Sequence, residues 1–185
     1  MTRRLSWLVL SYRVPPEPSR LRGVVWRRLK AAGAVYLAPS VAALPASPRA
    51  ERFFRRLRAE VGSMGGSAQL VRAQAIAGEA DVVRLFNAAR DAEFERIIVA
   101  CHEFCADIRS LTATGHFTTN DLELRGKRLA KLARRNDNLR AQDAFCASRA
   151  ESAAAALARC RDVLDGFAEQ VSHAAEVRWA RREHH

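Results

Sequence analysis

The amino-acid sequence predicts an α+β fold on two observations. The first 76 residues switch repeatedly between the two-residue period of strands and the 3.6-residue period of helices. From Asp81 onward the period is helical throughout. A third observation sets the class: 49% of the 185 residues are hydrophobic. That excludes a disordered chain and gives a core of useful size. No run approaches the roughly 18 apolar residues that a membrane-spanning helix needs.

Leu5 to Val14 has strand composition, with Leu8, Leu10 and Tyr12 on one face and Trp7 and Val9 on the other. Its apolar stretch from Trp7 to Leu10 is too short for a secretory signal, and Tyr12-Arg13 follows where a cleavage site would want small residues. Pro15-Pro16-Glu17-Pro18-Ser19 stops the strand, and Ser19 can cap a helix. In that helix Leu21, Val24, Val25, Leu29 and Ala32 recur at helical spacing until Gly33 ends it. Ala34 to Leu44 reads as two short strands broken near Pro39-Ser40. Ser47-Pro48 opens a second helix, because serine caps and proline at the first helical position loses no hydrogen bond. Its stripe is Ala50, Phe53, Phe54, Leu57 and Val61; Met64-Gly65-Gly66 closes it before a last strand, Ala68 to Ala75.

The order is β-α-β-β-α-β. One sheet carrying both helices on one face can bury every stripe, which is the ferredoxin-like arrangement. Beyond it, Val82, Leu85, Phe86 and Ala89 mark one helix, and Phe94, Ile97, Ile98, Cys101, Cys105 and Ile108 mark the next. After a break around Gly115, Thr119-Asn120 opens a long helix with Leu122, Leu129, Leu132 and Leu139. The final helix carries Ala153, Ala156, Leu157, Cys160, Leu164, Phe167 and Val171. Two long amphipathic helices with a short link favour antiparallel pairing. The expected organisation is a basic ferredoxin-like unit over 1–76 and an all-helical unit over 77–185, docked because no low-complexity linker separates them.

Charge divides the same way. The chain holds 31 Lys plus Arg and 20 Asp plus Glu, a net charge of +11. Residues 1–75 contain 14 of the basic residues and three acids, Glu17, Glu51 and Glu60 (14 − 3 = +11), so the remainder is neutral. Such an imbalance between halves points to a polyanionic partner for the basic one. Arg20, Arg22, Arg27, Arg28 and Lys30 surround the stripe of the first helix; Arg49, Arg52, Arg55, Arg56 and Arg58 surround that of the second. Arg49, Arg52 and Arg56 share a face at i, i+3 and i+7. Guanidinium forks suit phosphate oxygens, and neutralising phosphates makes binding salt-dependent. No helix-turn-helix signature or zinc-finger spacing accompanies them, so phosphate affinity is derivable and base reading is not.

Chemistry of other kinds finds little support. No Gly-rich phosphate loop, nucleophile elbow or HExxH motif is present, and the reading is against an enzyme. Cys101 and Cys105 lie one turn apart, but on the stripe of Phe94, Ile98 and Ile108; that reads as core rather than metal site. Cys160 sits on the seam of the final helix, and Cys146, near a break, is the expected exposed thiol. Four cysteines in a chain of this length do not form a disulfide framework, so the cytoplasm is the expected compartment. No cofactor is implied, and His184-His185 are given no role.

Several strings together resemble the ChrB N-terminal domain family, from the regulator of bacterial chromate-resistance operons. They are Val25-Trp26-Arg27-Arg28-Leu29-Lys30, the segment from Gly33 to Val41, Leu44-Pro45, Gly65-Gly66, Phe86…Arg90-Asp91, Leu129-Ala-Lys-Leu132, Leu157-Ala-Arg-Cys160 and Leu164-Asp-Gly-Phe167. The resemblance spans roughly residues 5–172. It implies a cytoplasmic, DNA-associated regulator of chromate efflux whose basic N-terminal part touches DNA, without the second domain of longer members. The β-α-β-β-α-β order also resembles small CRISPR-adaptation nucleases and the C-terminal part of PaaX-type repressors. Those nucleases carry an acid at the end of the first strand, where this chain has Leu10-Ser11-Tyr12-Arg13.

Three functional readings follow. The first is a homodimeric regulator of transcription bound to double-stranded DNA. The second is a module that binds chromate or a similar oxyanion, with Ser19, Arg20 and Arg22, or Ser47 and Arg49, as cradles at helix N-termini. The third is a cryptic nuclease or a thiol protein that reduces chromate.

Overall fold

A computed structural model describes residues 5–17 and 20–183, with side chains as far as Val177. The first elements are β1 (Trp7–Arg13), α1 (Arg20–Ala31), β2 (Val35–Ala38), β3 (Val41–Pro45), α2 (Pro48–Ser63) and β4 (Ser67–Ala73). The strands form one sheet in the order β2-β3-β1-β4, and every neighbouring pair is antiparallel. This is the ferredoxin-like topology that the alternating periods predict.

Local chemistry explains the boundaries. The Ser47 hydroxyl accepts the Ala50 N–H at 3.1 Å, and Pro48 follows it at the start of α2. Gly33 ends α1 in the left-handed region at φ 81°. Ser40 takes φ 59° at the tip between β2 and β3, as the Pro39-Ser40 break requires. The capping role expected of Ser19 lies outside the described residues.

Strand alternation sends Leu8, Leu10, Ala42 and Leu44 toward α1 and α2, where Val25, Leu29, Phe54, Leu57 and Val61 complete a buried core. Trp7 points to the opposite face. There Phe145 packs against Trp7 with ring centroids 5.5 Å apart, and Phe86 meets Phe145 edge-on at 5.4 Å.

Three helices follow: α3 (Glu79–Thr114), α4 (Thr119–Arg140) and α5 (Ala150–Glu183). The two helices expected between Val82 and Ile108 are one, α3. The apolar stripe shifts between Ala89 and Phe94, but Arg90-Asp91-Ala92-Glu93 contains neither Gly nor Pro to break the helix. Gly115, at φ 66°, ends it.

By its contacts the chain divides into two compact units. One holds residues up to 90 with 142–146, and the other holds 91–141 with 147–185. In the second, Phe94, Ile97, Cys101, Phe104 and Ile108 of α3 share a core with Leu129 and Leu139 of α4 and Leu157, Cys160, Phe167 and Val171 of α5. Helices α4 and α5 pair antiparallel: Arg140 reaches Glu151 at 3.2 Å beside the link, while Phe117, ahead of α4, packs on Phe167 well along α5. α4 opens at Thr119 as expected, and a capping box of Thr118 and Asp121 holds its start. No described helix is long and apolar enough to cross a membrane.

Candidate nucleic-acid interface

Helices α1 and α2 cover the same face of the sheet, so their outward sides form one surface. Arg28 of α1 forms an ion pair with Glu60 of α2 and ties the two helices together. Glu60 also fixes the orientation of α2's arginines. It stands four residues after Arg56, eight after Arg52 and eleven after Arg49, so all four occupy one helical row. Since Glu60 reaches α1, that row runs along the α1 side of α2. On α1, Arg20 and Arg27 lie seven apart on the outward side, opposite the buried Val25 and Leu29 and roughly 80–100° round from Arg28. Arg28, Arg49, Arg52 and Arg56 therefore share one exposed strip where α1 and α2 meet, with Arg20 and Arg27 exposed beside it on the outward side of α1.

The remaining predicted residues point elsewhere. Arg55 lies on the opposite flank of α2, where Glu51 receives Arg55 at 2.7 Å and Arg72 of β4 at 2.8 Å. The bonded Arg55 guanidinium, and then Arg72, hold the Glu51 carboxyl below the usual carboxylate range. Arg58 donates from Nε to the Ala68 carbonyl at 3.1 Å. Lys30 is exposed on the side of α1 away from α2, and Arg22 turns toward the β2–β3 hairpin.

Two of the three acids in the basic segment are thus engaged by Arg28, Arg55 and Arg72. Arg20, Arg27, Arg49, Arg52 and Arg56 have no carboxylate partner among the described residues. Only Arg28 meets a carboxylate there, Glu60, so the charge of the other five arginines is uncompensated among the described residues. As for the expected oxyanion cradles, the Ser47 oxygen is engaged by the Ala50 N–H, with Arg49 exposed beside it; Ser19 lies outside the described residues.

Cys101, Cys105 and Cys160 belong to the core of the helical unit, as expected, and Cys146 does not. Cys101 and Cys160 are buried, Cys105 is half-buried and Cys146 is exposed. Cys105 Sγ lies 3.6 Å from Cys160 Sγ, and burial pushes both the Cys101 and the Cys160 thiol up, keeping them protonated. Among the described residues, no three His, Cys, Asp or Glu side chains gather to hold a metal ion.

Two features had no local signal in the sequence. Arg90 is buried, lies over the Phe86 ring at 5.4 Å and donates to Gln142 Oε1 at 3.0 Å, 52 positions away. Asp91 accepts the Arg149 N–H at 2.8 Å and the Ser148 hydroxyl at 3.1 Å, which fixes the backbone just ahead of α5. The string Phe86…Arg90-Asp91 is therefore structural.

No curated protein matches this chain. Residues 22–178 match the family described as "Protein ChrB, N-terminal", from the third residue of α1 to within five residues of the end of α5. With that match over most of its length, the chain belongs to the ChrB N-terminal family and is thereby associated with chromate resistance.

Proposed function

We propose that this chain is a cytoplasmic regulator in chromate resistance that holds double-stranded DNA by its phosphates and catalyses no reaction. The observation that carries the reading is the uncompensated arginine strip across α1 and α2. From Arg49 to Arg56 the helix advances about 10 Å at 1.5 Å per residue, which matches the axial rise of about three phosphates at 3.4 Å each along one strand. Each guanidinium can donate two parallel hydrogen bonds to phosphate oxygens. The same helices bury their apolar faces on the sheet, so the arginines stand on a rigid support. Contacts of this kind set register and affinity, while sequence preference would come from the shape and deformability of the duplex. Two copies related by a two-fold axis would present two such strips to an operator.

The test is a gel-shift titration with DNA from upstream of the chain's own gene, repeated at rising salt. Binding that weakens steeply with salt is expected. Changing Arg27, Arg28, Arg52 and Arg56 together to Ala flattens that dependence. Absence of binding at low salt refutes the proposal.

A further inference from the structure

On the flank of α1 away from α2, a cleft of about 590 Å³ opens between α1, the end of β1 and the β2–β3 hairpin. That volume falls within the range of about 300–1,000 Å³ typical of small-ligand sites. Trp26 forms one wall and is 51% exposed; Leu37 opposite is 42% exposed. Arg22, one turn before Trp26, brings positive charge, and among the described residues no carboxylate lines the cleft. The Tyr12 and Tyr36 hydroxyls face each other at 3.0 Å. One of them donates in that bond and the other keeps its hydrogen for a further acceptor.

The walls are held in place. Ser40 O accepts the Tyr12 N–H at 3.0 Å, pinning the hairpin tip to β1. The β2–β3 register slips between Tyr36 and Ala38, a bulge of the kind that re-aims a side chain at a sheet edge. Burial, and then the bond from Tyr12, push the Tyr36 hydroxyl well up, so it stays neutral across the physiological range.

The geometry points to a nucleotide site in this cleft: an unpaired base stacks on Trp26, its edge meets the Tyr12–Tyr36 hydroxyls, and its phosphate is held by Arg22. Aromatic stacking with cationic neighbours is how proteins bind unstacked bases without strong sequence preference. Two sources carry this chemistry, a base extruded from a nucleic-acid strand and a free nucleotide. The strand form rests on the nucleic-acid reading above; the free form does not.

Strand binding is read by the anisotropy of labelled DNA, and quenching of the emission that Trp26 contributes beside Trp7 and Trp179 is followed in the same titrations. The protein is titrated in low salt with oligothymidylate, with a blunt duplex and with free dTMP, and Trp26→Leu and Arg22→Ala variants are titrated in parallel. Both side chains are exposed, and unchanged thermal melts certify the fold. Oligothymidylate is expected to quench the emission, and Trp26→Leu to weaken its binding about 5- to 100-fold, the range for losing one stacked base. Quenching by dTMP that disappears in Trp26→Leu supports the site for free nucleotides even if no strand binds. Strand binding that is equal in Trp26→Leu and the parent overturns the inference and leaves the arginine strip standing. No binding of any of the three ligands overturns both.

Discussion

Replacing Arg49, Arg52 and Arg56 together with Ala separates a phosphate-binding strip from a merely solvated helix face. All three are exposed, share one row and have no carboxylate partner among the described residues. Stability should therefore stay within about 0.5 kcal/mol of the parent. Each arginine on a duplex phosphate adds about 0.9 to the slope of log K against log salt, so losing three flattens it by about 2.7. Over a four-fold rise in salt the parent then loses about 40-fold more affinity than the variant does. Arg55→Ala is the internal control. Its guanidinium shares Glu51 with Arg72, and it faces away from the strip, so its removal should change the slope by well under one contact. Fluorescence anisotropy of a labelled duplex at stepped potassium chloride measures both. An unchanged slope in the triple variant refutes the reasoning, as does an Arg55→Ala effect as large as that of Arg52→Ala.

Other outcomes follow from the fold itself. Gly33→Ala should destabilise by about 1–3 kcal/mol, since a β-carbon there meets φ 81° and would lie 2.6 Å from Gln142 Oε1 and 2.7 Å from Arg90 Nη1; an unchanged thermal melt would contradict this. In the native protein a thiol reagent should label Cys146 first, with Cys101 and Cys160 reacting only on unfolding; mass mapping of early label at Cys160 would contradict their buried placement. Thr118→Ala removes the cap of α4 and should cost about 1 kcal/mol by thermal melting, with no loss counting against the capping box. Asp121 is held below the usual carboxylate range, chiefly by the Thr118 hydroxyl bond. Its contribution is therefore present above the ordinary carboxylate pKa and lost as pH falls through the lowered value. Asp121→Asn should flatten the acid side of the melting profile, and an unaltered profile would sink that assignment.

Most strand and helix ends in the first unit were legible because their chemistry is local. Ser47-Pro48, Gly33 and Pro39-Ser40 each specify a backbone conformation within a few residues. The continuity of α3 was not legible, for a physical reason. Phe86 serves the core of the sheet unit and Phe94 that of the helical unit, so the stripe changes direction although the backbone does not. A periodicity read from one side registers that change as a break. At the candidate interface, composition revealed the arginines but not how they divide. Arg22 and Arg55 look equivalent to Arg27 and Arg56 along the chain; only the neighbours of each helix flank separate them. The Arg90–Gln142 contact joins residues 52 apart and leaves no local mark.

One short string shows how closely these roles are interleaved. In Val25-Trp26-Arg27-Arg28-Leu29-Lys30, Val25 and Leu29 are fully buried on the sheet and the other four are exposed. A helix turns about 100° per residue, so Trp26 and Arg28 stand roughly 160° apart, with Arg27 between them. Arg28 belongs to the flank beside α2, Trp26 to the flank beside the hairpin, and Arg27 to the outward side between them. A strand that touches both flanks has to cross a helix about 10 Å in diameter. A straight duplex seated on the strip would not offer a stacked base to Trp26, whereas an opened or single strand could reach it. The two surfaces should therefore separate experimentally. Trp26→Leu should leave the salt slope for a duplex unchanged, and the Arg49, Arg52 and Arg56 triple variant should still show quenching by a free nucleotide. If either substitution disturbs the other readout, the two flanks act as one site and α1 does not divide them.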